Sequence, residues 1–185
     1  IKRNLERLVG LGVLETGPAA RAEERLTTCL TLEDAVSDAD LVIEAVYEDL
    51  SLKRQVFEQL DRACPDRTLL ASTTSTFPAT QIATATGRPD RVLVAHYINP
   101  PYLVPLVELA PGEGTSEETL GAVHALLTGI GKQPVVLRKE VPGFISVRLQ
   151  VALLREALSL VQSGVATPED IDKVIRTSIG RRWAV

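Results

Sequence analysis

Apolar residues recur along this chain at spacings that switch between helical and strand periods, and the order of the switches outlines the architecture. Ile1, Leu5, Leu8 and Val9 fall at helical intervals and predict a helix from the first residue. A loop containing Gly17-Pro18 follows, then a strand over residues 26–30 and a short helix that Thr31 can cap. Residues 41–46 form an almost continuous apolar run of strand length, as expected of a strand covered on both faces in a parallel sheet. From there the pattern alternates: a helix over residues 50–63, a buried strand over 68–73, a helix over 78–86 closed by Gly87, and a strand over 91–96. Another apolar run covers 103–109. Thr115-Ser116-Glu117-Glu118 has the spacing of a capping box, and Leu120, Val123, Leu127 and Ile130 form the buried stripe of the helix it starts, with Gly131 at its end. A last strand over 134–137 precedes Val141-Pro142-Gly143, which interrupts the pattern. A long helix over 144–163 then runs to Gly164, and Thr167-Pro168-Glu169-Asp170 opens one more. Alternation of this kind implies an α/β sheet followed by helices.

Two polar residues stand out against the apolar runs. His96 ends the strand at 91–96, and Glu108 interrupts the run at 103–109. A connection this short cannot house the crossover that parallel neighbours need, so the two strands run antiparallel if they pair, and a turn centred on Tyr102 sets 96 opposite 108. A carboxylate beside an imidazole holds the ring in one orientation and stabilises its imidazolium form, which suits a catalytic base and its orienter. The same spacing also fits a hydrogen-bonded core histidine and a strand glutamate reaching solvent. His124, within a helix, reads as structural.

A chain of 185 residues, 45% hydrophobic, can bury one sizeable core and part of a second domain. Its net charge of -4, with Lys and Arg interspersed, offers no footprint for nucleic acid or an anionic membrane. Cys29 and Cys64 lie in no metal-ligand or redox spacing, so no metal is expected and both read as reduced thiols of a cytoplasmic protein. No apolar stretch approaches the roughly 20 residues of a membrane span. The chain opens inside a helical pattern and contains no methionine. It reads as an internal part of a longer protein, with a βαβ segment before Ile1 and further helices after Val185.

Five ordered motifs carry a resemblance: Val42-Ile43-Glu44-Ala45-Val46-Tyr47-Glu48 with Lys53; Ala71-Ser72-Thr73-Thr74-Ser75; His96-Tyr97-Ile98-Asn99-Pro100; Leu106-Val107-Glu108; and Pro142-Gly143-Phe144 followed by Arg148. On these the chain resembles the L-3-hydroxyacyl-CoA dehydrogenases, and in Asn99-Pro100-Pro101-Tyr102 and Arg182-Trp183-Ala184 it is similar to their L-gulonate 3-dehydrogenase and lambda-crystallin branch. The resemblance implies a doubly wound Rossmann-type sheet whose first strands precede Ile1, with residues 1–141 as the dinucleotide-binding domain lacking its first βαβ unit. Residues 142–185 would begin an all-helical substrate and dimerisation domain.

The activity implied is NAD-dependent oxidation of the 3-hydroxyl of a 3-hydroxyacyl-CoA, with His96 as base and Glu108 as its orienter. Ser75 and Asn99 would bind near the nicotinamide and the reacting oxygen of the substrate, and Glu48 and Lys53 would contact the cofactor's ribose region. Taken alone, Glu48 and Lys53 read as first-turn charge and solvated surface, Ser75 as a turn hydroxyl, and Asn99 as a turn residue before Pro100. Thr73 and Val147 stand where the family usually has Asn, and Val147 can neither donate nor accept a side-chain hydrogen bond. The family's phosphate-binding Gly-x-Gly-x-x-Gly turn is not among these residues, so the chain by itself is not expected to bind NAD tightly. Phe144, Ile145, Leu149, Leu153 and Leu160 give an apolar helix face suited to a homodimer. The alternatives are a free 3-hydroxy acid such as L-gulonate or carnitine as substrate, and a non-catalytic, lambda-crystallin-like structural or NAD-binding protein.

Overall fold

The computed structural model describes residues 1–184. Helices α1 (Lys2–Gly10), α2 (Thr16–Glu24) and α3 (Leu32–Val36) precede the sheet, and α3 is capped by the Thr31 hydroxyl, which accepts from the Asp34 N–H at 3.2 Å. Strand β1 (Leu41–Glu44), α4 (Leu50–Ala63), β2 (Leu69–Ser72), α5 (Ala79–Ala83) and β3 (Val92–Tyr97) follow in alternation. Then come β4 (Leu106–Pro111), α6 (Glu117–Gly129), β5 (Gln133–Val136), α7 (Ser146–Gln162) and α8 (Pro168–Val174), which passes through a wider turn at Ile175–Ile179 into α9 (Gly180–Trp183). The strands form one sheet in the order β1-β2-β3-β4-β5. Neighbours are parallel except β3 and β4, which are antiparallel. This is a mixed α/β sheet followed by a helical segment, as the hydrophobic pattern predicts, and its Rossmann-like arrangement is the one the resemblance implies.

Strand alternation sorts the core into two faces. Leu70 and Val92 point to the α4 and α5 side, where they pack with Phe57, Leu60 and Ile82. Ala71, Leu93, Ala95, Val107 and Leu109 point to the other side, against Val123 and Leu127 of α6. By the same parity Glu44, Ser72, Val94, His96 and Glu108 share the first face, since cross-strand partners project to one side of the sheet. Glu44, Ser72 and His96 stand at or near the carboxyl ends of β1, β2 and β3, and Glu108, near the amino end of the antiparallel β4, lies beside His96.

Several expectations are corrected. Residues 26–30 form no strand: the segment is exposed and hydrogen-bonds to no neighbouring strand among the described residues, and an isolated extended segment gains nothing from its apolar pattern. Gly17 and Pro18 lie inside α2 rather than in a loop, because Pro18 falls in the first turn, where its missing N–H leaves no hydrogen bond unmade. β1 stops at Glu44, two residues early, because the Glu44 carboxylate accepts the Val46 N–H at 2.6 Å and turns the chain. Ile43 is 43% exposed, so β1 is not covered on both faces. The helix expected over 78–86 shrinks to α5. The cap of α6 is Ser116, which accepts from the Thr119 N–H, because the Thr115 hydroxyl is already engaged with the Val92 carbonyl and the Gly112 N–H. Ile130 lies beyond the end of α6 and is exposed, while Thr119 joins Val123 and Leu127 in the buried stripe. No helix among the described residues is long and apolar enough to cross a membrane.

Candidate active site

The β3–β4 register sets His96 opposite Glu108, and the turn between the strands is held by the Lys132 ammonium, which donates to the carbonyls of Pro101 and Val104. The pairing brings His96 Nδ1 to 2.8 Å from Glu108 Oε2, with both residues buried. An ionised carboxylate can only accept, so Nδ1 carries the proton and Nε2 is left with a free lone pair. Nε2 meets no partner among the described residues and keeps contact with solvent. The Phe144 ring, fully buried, lies tilted against the imidazole at a centroid distance of 5.4 Å. A ring fixed at one nitrogen and open at the other is the arrangement of a general base.

Glu108 is held as firmly as it holds. Its Oε1 accepts the backbone N–H groups of Ile145 at 3.0 Å and Ser146 at 2.8 Å, and its Oε2 accepts the Ser146 hydroxyl at 2.6 Å as well as His96. The carboxylate of β4 therefore caps the start of α7, satisfying amides that helix geometry leaves free. Gly143 and Phe144, both at positive φ (77° and 48°), bend the chain so that these amides face it. Burial pushes the Glu108 carboxyl up, but the Ser146 hydroxyl, His96 and the two amides outweigh it and hold the group below its ordinary value.

A second polar cluster occupies the same sheet face at the ends of β1 and β2. Lys53, 1% exposed, reaches from α4 to Glu44 at 3.0 Å, to the Val46 carbonyl at 3.3 Å and to Glu48 at 3.4 Å. The Ser72 hydroxyl donates to Glu44 at 2.6 Å. Glu48, whose side chain is 40% exposed, accepts the Thr74 hydroxyl at 2.6 Å and the Ser75 N–H at 3.0 Å. Burial raises the Glu48 carboxyl, and Thr74, the Lys53 charge and the Ser75 amide together bring it below its ordinary value.

Ser75 and Asn99, expected at the site, are exposed in the loops after β2 and β3. Lys53, expected to meet a cofactor, spends its ammonium on Glu44, Val46 and Glu48 instead of solvent. Glu48 is an ionised acceptor with an open side at the carboxyl ends of parallel strands, which suits the hydroxyls of a ribose, so the residues present fit the cofactor that the resemblance implies. His124 is exposed on α6.

Sequence reading named neither Ser146 nor Glu44 as part of the site. Ser146 follows the Pro142-Gly143-Phe144 motif and gave no signal of its own. Glu44 did: a lone acid in a buried apolar run needs a partner, and Lys53 nine residues on is the nearest basic group with reach.

Two family models match this chain. Residues 1–141 match the NAD binding domain of 3-hydroxyacyl-CoA dehydrogenase, and residues 143–185 match the C-terminal domain of that enzyme. The L-carnitine dehydrogenase of Streptomyces coelicolor is 44% identical over 178 residues, covering 96% of this chain and 55% of that enzyme. The lambda-crystallin of Oryctolagus cuniculus is 38% identical over 187 residues, covering 100% of this chain and 58% of the crystallin. The crystal structure of (S)-3-hydroxybutyryl-CoA dehydrogenase from Ralstonia eutropha superposes with a TM-score of 0.89 at 33% identity, over 96% of this chain and 62% of that one. The chain spans about half the length of the curated relatives it matches.

Proposed function

The chain belongs to the 3-hydroxyacyl-CoA dehydrogenase family, and from that premise we propose that it carries the proton-transfer machinery of an NAD-dependent oxidoreductase that oxidises the 3-hydroxyl of a 3-hydroxyacyl-CoA to the 3-keto form. The observation that carries this reading is the buried His96–Glu108 bond, with Nε2 of the histidine left open. Glu108 fixes the ring with its proton on Nδ1. Nε2 takes the hydroxyl proton while the hydrogen on carbon 3 leaves with its electron pair, and the carbonyl forms. NAD, when bound, supplies the acceptor for that hydride. The imidazolium so produced rests against an ionised carboxylate that four hydrogen bonds keep in place.

Ser75 and Asn99, at the same edge of the sheet, hold the reacting oxygen and the nicotinamide side of the cofactor. Glu48 accepts ribose hydroxyls, and Lys53 acts behind it by keeping its carboxylate ionised and aimed. Residues 1–141 serve the dinucleotide, and 142–185 begin the helical substrate and dimerisation domain. Of the apolar face expected to suit a homodimer, Phe144 is fully buried against His96 and Leu153 and Leu160 are half-buried, so the homodimer reading keeps only the exposed Ile145 and Leu149 as support.

A free 3-hydroxy acid such as carnitine is the second reading, favoured by the 44% identity to an L-carnitine dehydrogenase. NADH formation by the full-length protein with 3-hydroxybutyryl-CoA, L-carnitine and L-gulonate separates the cases. Turnover of the thioester supports the first reading, and turnover of a free acid alone replaces it with the second. No turnover of any of the three defeats both and leaves a lambda-crystallin-like, non-catalytic role.

A further inference from the structure

Four donors converge on the Glu108 carboxylate, and two of them share one oxygen. Oε2 accepts both His96 Nδ1–H at 2.8 Å and the Ser146 hydroxyl at 2.6 Å, while the backbone amides of Ile145 and Ser146 take Oε1. A carboxylate oxygen offers two lone-pair directions, so both sites on Oε2 are filled. We propose that Ser146 is a positioning residue of the site, whose hydroxyl draws charge from Glu108 Oε2 and so sets how strongly that oxygen holds the proton on His96. The inference rests on the proposed role of His96 as base.

The geometry separates this from a plain helix cap. In an ordinary cap a serine hydroxyl accepts a backbone N–H of its own helix. Here the acceptor comes from β4, and the Ser146 hydroxyl donates to it. The two amide bonds to Oε1 already tie α7 to the sheet and survive any side-chain change at 146. What the hydroxyl adds falls on Oε2, the oxygen facing the imidazole. The carboxylate is 1% exposed, so its charge is met by these four donors.

Among the described residues His96 is the one titratable group in contact with Glu108. The other three donors are neutral, Phe144 and Val135 flank the pair with apolar surface, and Arg148 of α7 is exposed. The hydroxyl is also one of the groups that keep the Glu108 carboxyl below its ordinary value. With that donor gone, more of the Oε2 charge faces Nδ1–H. The imidazolium gains stability, and Nε2 reaches its proton-accepting form only at higher pH.

The test compares Ser146→Ala and Ser146→Thr with the wild type in the full-length protein. Two quantities are read: the pH dependence of kcat/KM for 3-hydroxy substrate oxidation, and the proton resonance of His96 Nδ1–H. His124, the other histidine, serves as the exposed control. The Ala variant shifts the acid limb to higher pH and moves the Nδ1 proton further downfield, and the Thr variant restores both. A Ser146→Ala profile and resonance that match wild type overturn the inference, whatever happens to the melting temperature. If the wild type oxidises no 3-hydroxy substrate, the dehydrogenase reading fails, and the resonance alone still decides what Ser146 does to the pair.

Discussion

Ile145 donates its backbone N–H to Glu108, 37 residues earlier in the chain, at 3.0 Å, so the carboxylate that orients His96 also anchors the helix leaving the sheet. Replacing it by an amide breaks one of these jobs in either orientation, because one end of Gln only donates and must face donors. Glu108→Gln lowers turnover and also costs about 1–3 kcal/mol of stability from unmet buried hydrogen bonds. Steady-state rates and denaturant melts check both. An unchanged rate contradicts the orienting role.

Acid stability follows in part from Glu108 and Glu48, whose carboxyls are held below their ordinary values, as is that of the exposed Asp49 that caps α4. A group whose folded pKa is depressed contributes stability that is complete above its unfolded pKa, about 4.3 for Glu, and is lost as pH falls through the folded value. The protein therefore loses stability below about pH 4.3, and these two groups cause no loss between about pH 5 and 8. Melts in acid give a shallower decline for Glu108→Gln than for wild type. Equal slopes contradict the assignment.

Lys53 and Glu44 form a buried pair, and removing one partner leaves the other charge uncompensated. Lys53→Met costs about 3–5 kcal/mol, whereas the double variant Glu44→Gln with Lys53→Met loses less than the two single losses added together. Urea unfolding of the four proteins measures the coupling. Additive losses refute it.

Gly143 adopts φ of 77°, and a methyl group there meets nothing closer than Val147 Cγ1 at 3.5 Å. The cost of Gly143→Ala is therefore conformational, about 1–2 kcal/mol, and arises at the bend that aims Ile145 and Ser146 at Glu108. An unchanged unfolding midpoint contradicts that view of the bend.

The His96–Glu108 pairing was legible because period-two alternation and a short connection leave little freedom in register. The caps at Thr31 and Thr167 were legible for a similar reason, since their partners lie three residues away. What depended on distant partners was not. Residues 26–30 carry a strand's pattern without a strand's neighbours, and the Thr115 hydroxyl is diverted to Val92, 23 residues back. Ser146 shows nothing in its local sequence of a carboxylate 38 residues earlier. The bend at Gly143 and Phe144 was readable as an interruption, but not as the device that delivers two amides to Glu108.

The most direct test of the central claim is the rate of NADH formation by His96→Gln in the full-length protein, with NAD affinity measured alongside. The account predicts turnover reduced by about 100-fold to 10,000-fold with NAD binding intact, the scale of losing a general base. Turnover equal to wild type contradicts it, because the proton then leaves the substrate hydroxyl by a route that does not pass through His96.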